Sequence, residues 1–121
     1  MKTKLFVYGT LRPGNAETVQ IPGKMFALGW FPGVKLSDNS ENTFTAEVLE
    51  IDEANLTNVD RYEGYDPDNE EMSLFVRRPY QDGFIYEFNG KVDNKPQVMS
   101  GDWLQYTGKG AGVNASLPTR G

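Results

Sequence analysis

The stretch that constrains this chain most is Leu5-Phe6-Val7-Tyr8-Gly9-Thr10-Leu11-Arg12-Pro13-Gly14, where a hydrophobic run gives way within two residues to a loop carrying two glycines and a proline. Four consecutive apolar residues, 5–8, show no polar alternation, the pattern of a short strand covered on both faces. Gly9 then permits backbone angles that a side chain forbids, so peptide N–H groups can point at a ligand instead of at a neighbouring strand. The stretch predicts a strand that ends in a binding loop.

The ligand is not a nucleoside triphosphate. The loop has the outer spacing of a Walker A motif, G-x-x-x-x-G, but the next two positions are Asn15 and Ala16, where phosphate and magnesium binding need Lys and Ser or Thr. A second glycine-rich stretch, Gly108-Lys109-Gly110-Ala111-Gly112, has no strand leading tightly into it and no helix after it. It belongs to residues 107–121, which hold four glycines and one proline and little to bury, and which are expected to form a flexible C-terminal tail.

Composition narrows the chemistry further. A chain of 121 residues with 38% hydrophobic content builds one domain around one core, assigned here to residues 1–106. With no cysteine and no histidine, disulfides, thiol nucleophiles, thiolate metal sites and the commonest general base are all excluded. Any catalysis must use carboxylates, hydroxyls, lysine, arginine or the backbone. Net charge is −5, with 5 basic against 8 acidic residues in 1–60 and 7 against 9 in 61–121. Arg77-Arg78 is the one adjacent basic pair, so a nucleic-acid surface is not expected. No apolar segment is long enough to span a bilayer, and Met1-Lys2-Thr3-Lys4 leads straight into the strand, so a cytoplasmic, monomeric protein away from membranes is expected.

Along the chain, residues 15–22 read as a connection ended by a Pro22-Gly23 turn, and a second apolar run, 25–31, is followed by a Pro32-Gly33 turn. Residues 43–51 predict a strand. Asp52 is placed to cap a helix over 53–63, where Leu56 and Val59 are three apart and Gly64 suits a left-handed C-terminus. Residues 72–80 and 84–88 predict a hairpin turned at Gln81-Asp82-Gly83. Residues 98–106 form the last ordered segment. Strands outnumber helices, which predicts an α+β domain with a strongly curved sheet or small barrel and one or two helices packed on it.

Glu63 stands out by position. Leu56, Val59 and Glu63 follow i, i+3, i+7 and share the face that the helix turns to the core, so a carboxylate is aimed inward unless the helix ends early and Gly64 swings it to solvent. Burial disfavours a charged carboxylate and suits it to shuttle protons near neutral pH. Residues 66–71 (Asp-Pro-Asp-Asn-Glu-Glu) begin like a calcium loop but lack its sixth-position glycine and late bidentate glutamate, so they read as a solvated acidic loop. Trp30, Phe31, Tyr86 and Trp103 fit either a core or a pocket lining.

Val7-Tyr8-Gly9-Thr10-Leu11-Arg12, Val59-Asp60-Arg61-Tyr62-Glu63-Gly64-Tyr65, Phe84-Ile85-Tyr86 and Ser100-Gly101-Asp102-Trp103 together resemble, in order and rough spacing, the gamma-glutamylcyclotransferase-like family. That family includes gamma-glutamylamine cyclotransferases and the plant AIG2-like proteins, and the resemblance covers about residues 4–106. It implies a small mixed β-barrel with flanking helices and a cavity where the Tyr-Gly-Thr-Leu loop faces the glutamate. It further implies Glu63 as catalytic acid/base, Tyr8, Gly9, Thr10, Leu11 and Tyr86 as substrate-binding residues, no metal or organic cofactor, and a small γ-glutamyl compound as substrate. The reaction would be attack of the substrate's own α-amine on its γ-carbonyl, giving 5-oxoproline and a free amine. One departure is Phe75-Val76-Arg77, which stands where family members often carry Tyr-x-Arg. The competing expectation is a catalytically inactive module on the same fold that binds a small ligand or a protein.

Overall fold

In the computed structural model, which describes residues 1–9 and 11–108, the opening apolar run lies in strand β1 (Lys2–Val7), inside one six-stranded mixed sheet. The other strands are β2 (Thr18–Ala27), β3 (Pro32–Leu36), β4 (Thr43–Asp52), β5 (Phe75–Tyr80) and β6 (Gly83–Phe88), in the spatial order β3-β2-β4-β1-β6-β5. β1 pairs antiparallel with β4, from Lys2 with Asp52 to Val7 with Glu47, and parallel with β6, where Leu5 faces Phe84 and Phe6 faces Ile85. Strand alternation sends Phe6 and Tyr8 into a core with Ile21, Met25, Phe44 and Trp103, and Leu5 and Val7 into a second core with Phe75 and Tyr86. β1 is thus covered on both faces, as its unbroken apolar run requires.

The sheet curls into a half-barrel, which brings β3 across towards β6. Lys35 Nζ donates to the Phe88 carbonyl at 2.7 Å, and the Leu36 N–H donates to a Glu87 carboxylate oxygen at 2.8 Å. Gly33 permits the approach, since a Cβ there would lie 2.8 Å from Cβ of Phe88. Helices α1 (Leu56–Glu63) and α2 (Trp103–Thr107) flank the sheet, completing an α+β fold with a strongly curved mixed sheet. Asp102 caps α2 by accepting from the Gln105 N–H at 3.2 Å, and each helix ends on a left-handed glycine, Gly64 or Gly108. Thr107 and Gly108 therefore belong to this helix and its cap, while residues 109–121 of the expected tail lie outside the described residues.

Several turn expectations are corrected. Pro22-Gly23 is a bend inside β2: the strand pairs with β4 up to Pro22 and with β3 from Gly23 onward. Gly23 has φ +150°, and a Cβ there would sit 2.5 Å from the Lys35 carbonyl oxygen. On its other side the far half of β2 takes up residues 96–98, with Ala27 N–H donating to Pro96 and Val98 N–H to Met25. Residues 18–22, expected to be mere connection, are therefore strand. Pro32-Gly33 likewise lies within β3, and the turn before it is closed by Leu28 N–H on the Phe31 carbonyl. At the β5–β6 hairpin it is Gln81 that takes positive φ (+49°), whereas Gly83 is required because a Cβ would lie 2.3 Å from the Lys4 carbonyl oxygen of β1. Asp52 precedes a single 3-10 turn, Glu53–Asn55, without a side-chain capping bond, and pairs with Lys2 instead.

Candidate functional site

Helix α1 has few apolar residues to bury, and its inward face ends in acid. Leu56 and Val59 are half-buried, and the two buried residues of the helix are Asp60 and Glu63. Glu63 occupies the last helical position, is 0% exposed, and is turned inward, which settles the alternative left open by its neighbour Gly64.

Two buried phenols meet these carboxylates. Tyr8, the first residue beyond β1, donates to the Tyr86 carbonyl at 2.6 Å. Burial raises its pKa well above the ordinary tyrosine value, the negative charge of Glu63 and then of Glu87 adds to that, and a backbone hydrogen bond with Val34 opposes it. Tyr86 donates to Asp60 Oδ1 at 2.5 Å, and its pKa is raised by burial, by that bond and charge, and to a smaller degree by the charge of Glu63. Both phenols are fixed donors at neutral pH. Asp60 is further held by Arg77, whose Nη1 donates to both carboxylate oxygens at 3.0 and 3.1 Å, and whose guanidinium lies 4.9 Å from the Phe84 ring centroid. Asp60 is committed to structure. Glu63 is close enough for its negative charge to raise the pKa of both phenols.

The loop after Tyr8 is anchored from below. The Arg12 N–H donates to the Gly9 carbonyl at 3.1 Å, closing the turn. The Arg12 side chain, 6% exposed, folds inward so that Nε donates to Glu47 at 2.6 Å and Nη1 to Asp102 at 3.0 Å. Glu47 is 0% exposed and also accepts from the N–H groups of Gly14 and Ala16 at 2.9 Å. The downstream half of the loop does form an anion cradle, with Gly14 at φ +86°, but a carboxylate of the chain itself fills it. Leu11 is partly buried and packs on the core of Leu5, Val7, Phe75 and Tyr86. Tyr8 is thus hydrogen-bonded to the Tyr86 backbone, the charge of Glu63 reaches both phenols, Leu11 packs with Tyr86, and Thr10 lies outside the described residues.

Of the other aromatics, Trp30 is exposed near the β2–β3 turn and Trp103 is core. The acidic loop is folded on itself and on Asn89: Asp66 N–H donates to Ser73 Oγ, and Asn89 Nδ2 donates to the carbonyls of Glu70 and Ser73. Among the described residues no group of three acidic side chains is placed to hold a metal ion, and no helix is long and apolar enough to cross a membrane. The sequence reading missed the roles of Asp60 and Glu47. Asp60 carried a usable signal, because it sits four residues after Leu56 on the same face as Glu63. Glu47, one of three acids in β4, carried none.

The gamma-glutamyl cyclotransferase, AIG2-like family model matches residues 5–105. The gamma-glutamylcyclotransferase family protein YtfP of Escherichia coli K12 is 30% identical over 115 residues, covering 84% of this chain and 96% of that protein. The solution structure of ytfP from Escherichia coli superposes with a TM-score of 0.62 at 26% identity, covering 86% of this chain and 98% of that one. YkqA from Bacillus subtilis, at 24% identity and a TM-score of 0.62, shares the fold over 88% of this chain, which spans only 41% of YkqA. PH0828 from Pyrococcus horikoshii shares it at 21% identity and a TM-score of 0.60, over 87% of this chain and 92% of that one. The match from end to end of the folded domain shows that the chain belongs to the gamma-glutamyl cyclotransferase, AIG2-like family, a family of gamma-glutamylcyclotransferase-like enzymes.

Proposed function

We propose that the protein releases an amine from a γ-glutamyl amine or related γ-glutamyl compound and forms 5-oxoproline. The observation that carries this reading is Glu63, a carboxylate fully buried at the inward end of α1 in a chain without His or Cys. In the reaction, the Glu63 carboxylate takes a proton from the substrate's α-ammonium group. The freed amine nitrogen attacks the γ-carbonyl carbon, forming the ring C–N bond and placing negative charge on the γ-oxygen. Backbone N–H groups at Gly9, Thr10 and Leu11 are assigned to that oxygen. Glu63 passes that proton to the leaving nitrogen, collapse breaks the original C–N bond, and the second proton of the ring nitrogen follows to the departing amine, so that the products are neutral-lactam 5-oxoproline and an ammonium ion. No external nucleophile is needed, which suits a chain without His or Cys. Tyr8 and Tyr86 are assigned to the wall of the site, their single O–H groups already committed to the Tyr86 carbonyl and to Asp60, and holding the substrate folded for five-membered ring closure supplies the proximity effect.

The test is turnover on a panel of γ-glutamyl amines, dipeptides and acylated amines, with 5-oxoproline as readout. Wild type should turn over at least one member, and Glu63→Gln should lower kcat by about 10²- to 10⁴-fold while retaining its fold by circular dichroism. Unchanged turnover in that variant removes Glu63 from the mechanism. A wild-type protein inert on every member, with a small ligand retained through purification, replaces the enzyme with a binding module.

A further inference from the structure

We propose that a cleft at the β2–β3 corner of the sheet binds a small organic dianion between Lys24 and Lys35, with the ligand's apolar part against Phe26. The cleft has a volume of about 580 Å³, and none of its lining residues is among those assigned above to catalysis or substrate binding. Its origin lies in the bend inside β2. At Gly23 the strand leaves β4 for β3, so the β3–β4 connection, residues 37–42, has to span the corner that opens. That connection is pinned to the bend: Gly23 N–H donates to the Asn42 carbonyl at 3.0 Å, and Ser37 N–H to the Pro22 carbonyl at 3.4 Å. The space between it and Val92 is therefore preformed.

Strand register puts two like charges side by side in this cleft. Lys24 and Lys35 are direct partners across β2 and β3, while their neighbours Met25 and Val34 point to the opposite face and into the core. Like charges directly opposite each other on one face repel. The lysines of β1 are offset by carboxylates, Lys2 by Asp52 and Lys4 by Asp82, whereas Lys24 and Lys35 have no ion-pair partner among the described residues. The Lys35 ammonium donates to the Phe88 carbonyl at 2.7 Å and lies 5.6 Å from that ring's centroid, so it is held in place with two donors left. Phe26, half-buried and two residues on from Lys24, shares the lysines' face and presents an aromatic wall. Ser40 Oγ accepts from the Asn42 N–H at 3.0 Å, which leaves its O–H as a further donor. Glu41 on the rim opposes an anion, but the two lysines outnumber it. Two ammonium groups on one face match the two negative charges of a phosphate monoester, and Phe26 covers the rest of such a molecule. With a net charge of −5 the protein repels anions at long range, so the attraction is local to this cleft.

The experiment titrates phenyl phosphate into the full-length protein and follows its backbone amide signals by NMR. Saturable shifts should cluster at residues 23–26, 34–37 and 39–42, with a Kd on the order of 1 mM at low salt. Inorganic phosphate, which lacks the ring, should bind about three- to tenfold more weakly. Benzyl alcohol, which keeps the ring and lacks the charge, should give no saturable shift up to about 10 mM. Lys24→Gln, at an exposed strand position that tolerates substitution, should weaken phenyl phosphate by about three- to tenfold, and Glu41→Gln should tighten it by about two- to threefold. No saturable shift by about 10 mM phenyl phosphate, shifts centred instead on residues 8–16, or equal affinity in wild type, Lys24→Gln and Glu41→Gln overturns the inference. The readout is binding and not turnover, so the cyclotransferase reading stands or falls separately.

Discussion

The carboxylate beneath the site loop gives the sharpest test of what holds that loop in place. Glu47 accepts from Arg12 Nε at 2.6 Å, from Gly14 N–H at 2.9 and 3.0 Å to its two oxygens, and from Ala16 N–H at 2.9 Å. Glu47→Gln keeps the volume but swaps one acceptor oxygen for an NH₂ group. Whichever way the amide turns, that NH₂ meets a donor, either Ala16 N–H or Arg12 Nε. The substitution also leaves the buried guanidinium with Asp102 as its remaining carboxylate partner. Removing one member of a buried ion pair costs about 3–5 kcal/mol, a large share of the ~5–15 kcal/mol that stabilises a domain of this size. Arg12→Met should cost a similar amount, since it strands Glu47. The double variant Arg12→Met/Glu47→Met should be less destabilised than the sum of the singles, because it buries no unpaired charge. Urea unfolding followed by fluorescence of buried Trp103 reads the effect as a fall in midpoint of roughly 2 M for each single variant. Singles costing less than ~1 kcal/mol, or a strictly additive double, would show that the loop is positioned by something other than this carboxylate.

Two further outcomes follow from the same packing. Tyr8 and Tyr86 both have pKa values raised in the folded state, so the native protein holds these protons more tightly than the unfolded chain. Stability is then unaffected below about pH 10 and falls above it by up to ~1.4 kcal/mol per pH unit for each phenol, and urea midpoints between pH 9 and 11.5 should show that slope roughly halved in Tyr8→Phe. Gly83→Ala places a methyl 2.3 Å from the Lys4 carbonyl oxygen and should push β6 off β1, lowering stability by about 1–3 kcal/mol in thermal unfolding.

Periodicity within a segment was enough to place β1, β4 and α1 and to turn Glu63 inward, because each depends on a burial pattern that runs along the chain itself. Pro22-Gly23 defeated that kind of reading. A proline-glycine pair marks a break in backbone direction, but whether the break ends a strand or bends it depends on the partners on either side. Here those partners are residues 32–36, 43–47 and 96–98. Glu47 was invisible for the same reason: its burial follows from Arg12, Gly14 and Ala16, which lie more than 30 residues earlier in the chain.

The two carboxylates of α1 show how far the local pattern reaches and where it stops. Spacing from Leu56 marks Asp60 and Glu63 alike as inward. What separates them is tertiary: Arg77 and Tyr86, 17 and 26 residues downstream of Asp60, hold its charge in a fixed network. Asp60→Asn removes the ion pair at the partly buried Arg77 and weakens the Tyr86 bond, so it should lower stability by about 2–3 kcal/mol. Its effect on turnover should stay within roughly tenfold, because Asp60 positions Tyr86 without touching the reacting atoms. Glu63→Gln should do the reverse, lowering kcat by about 10²- to 10⁴-fold at modest cost in stability. Stability by urea titration and kcat by 5-oxoproline release, measured on both variants, therefore give opposite patterns. If Asp60→Asn loses turnover as completely as Glu63→Gln while remaining folded, the proton carrier is the pair, and the division of labour drawn from Arg77 and Tyr86 is wrong.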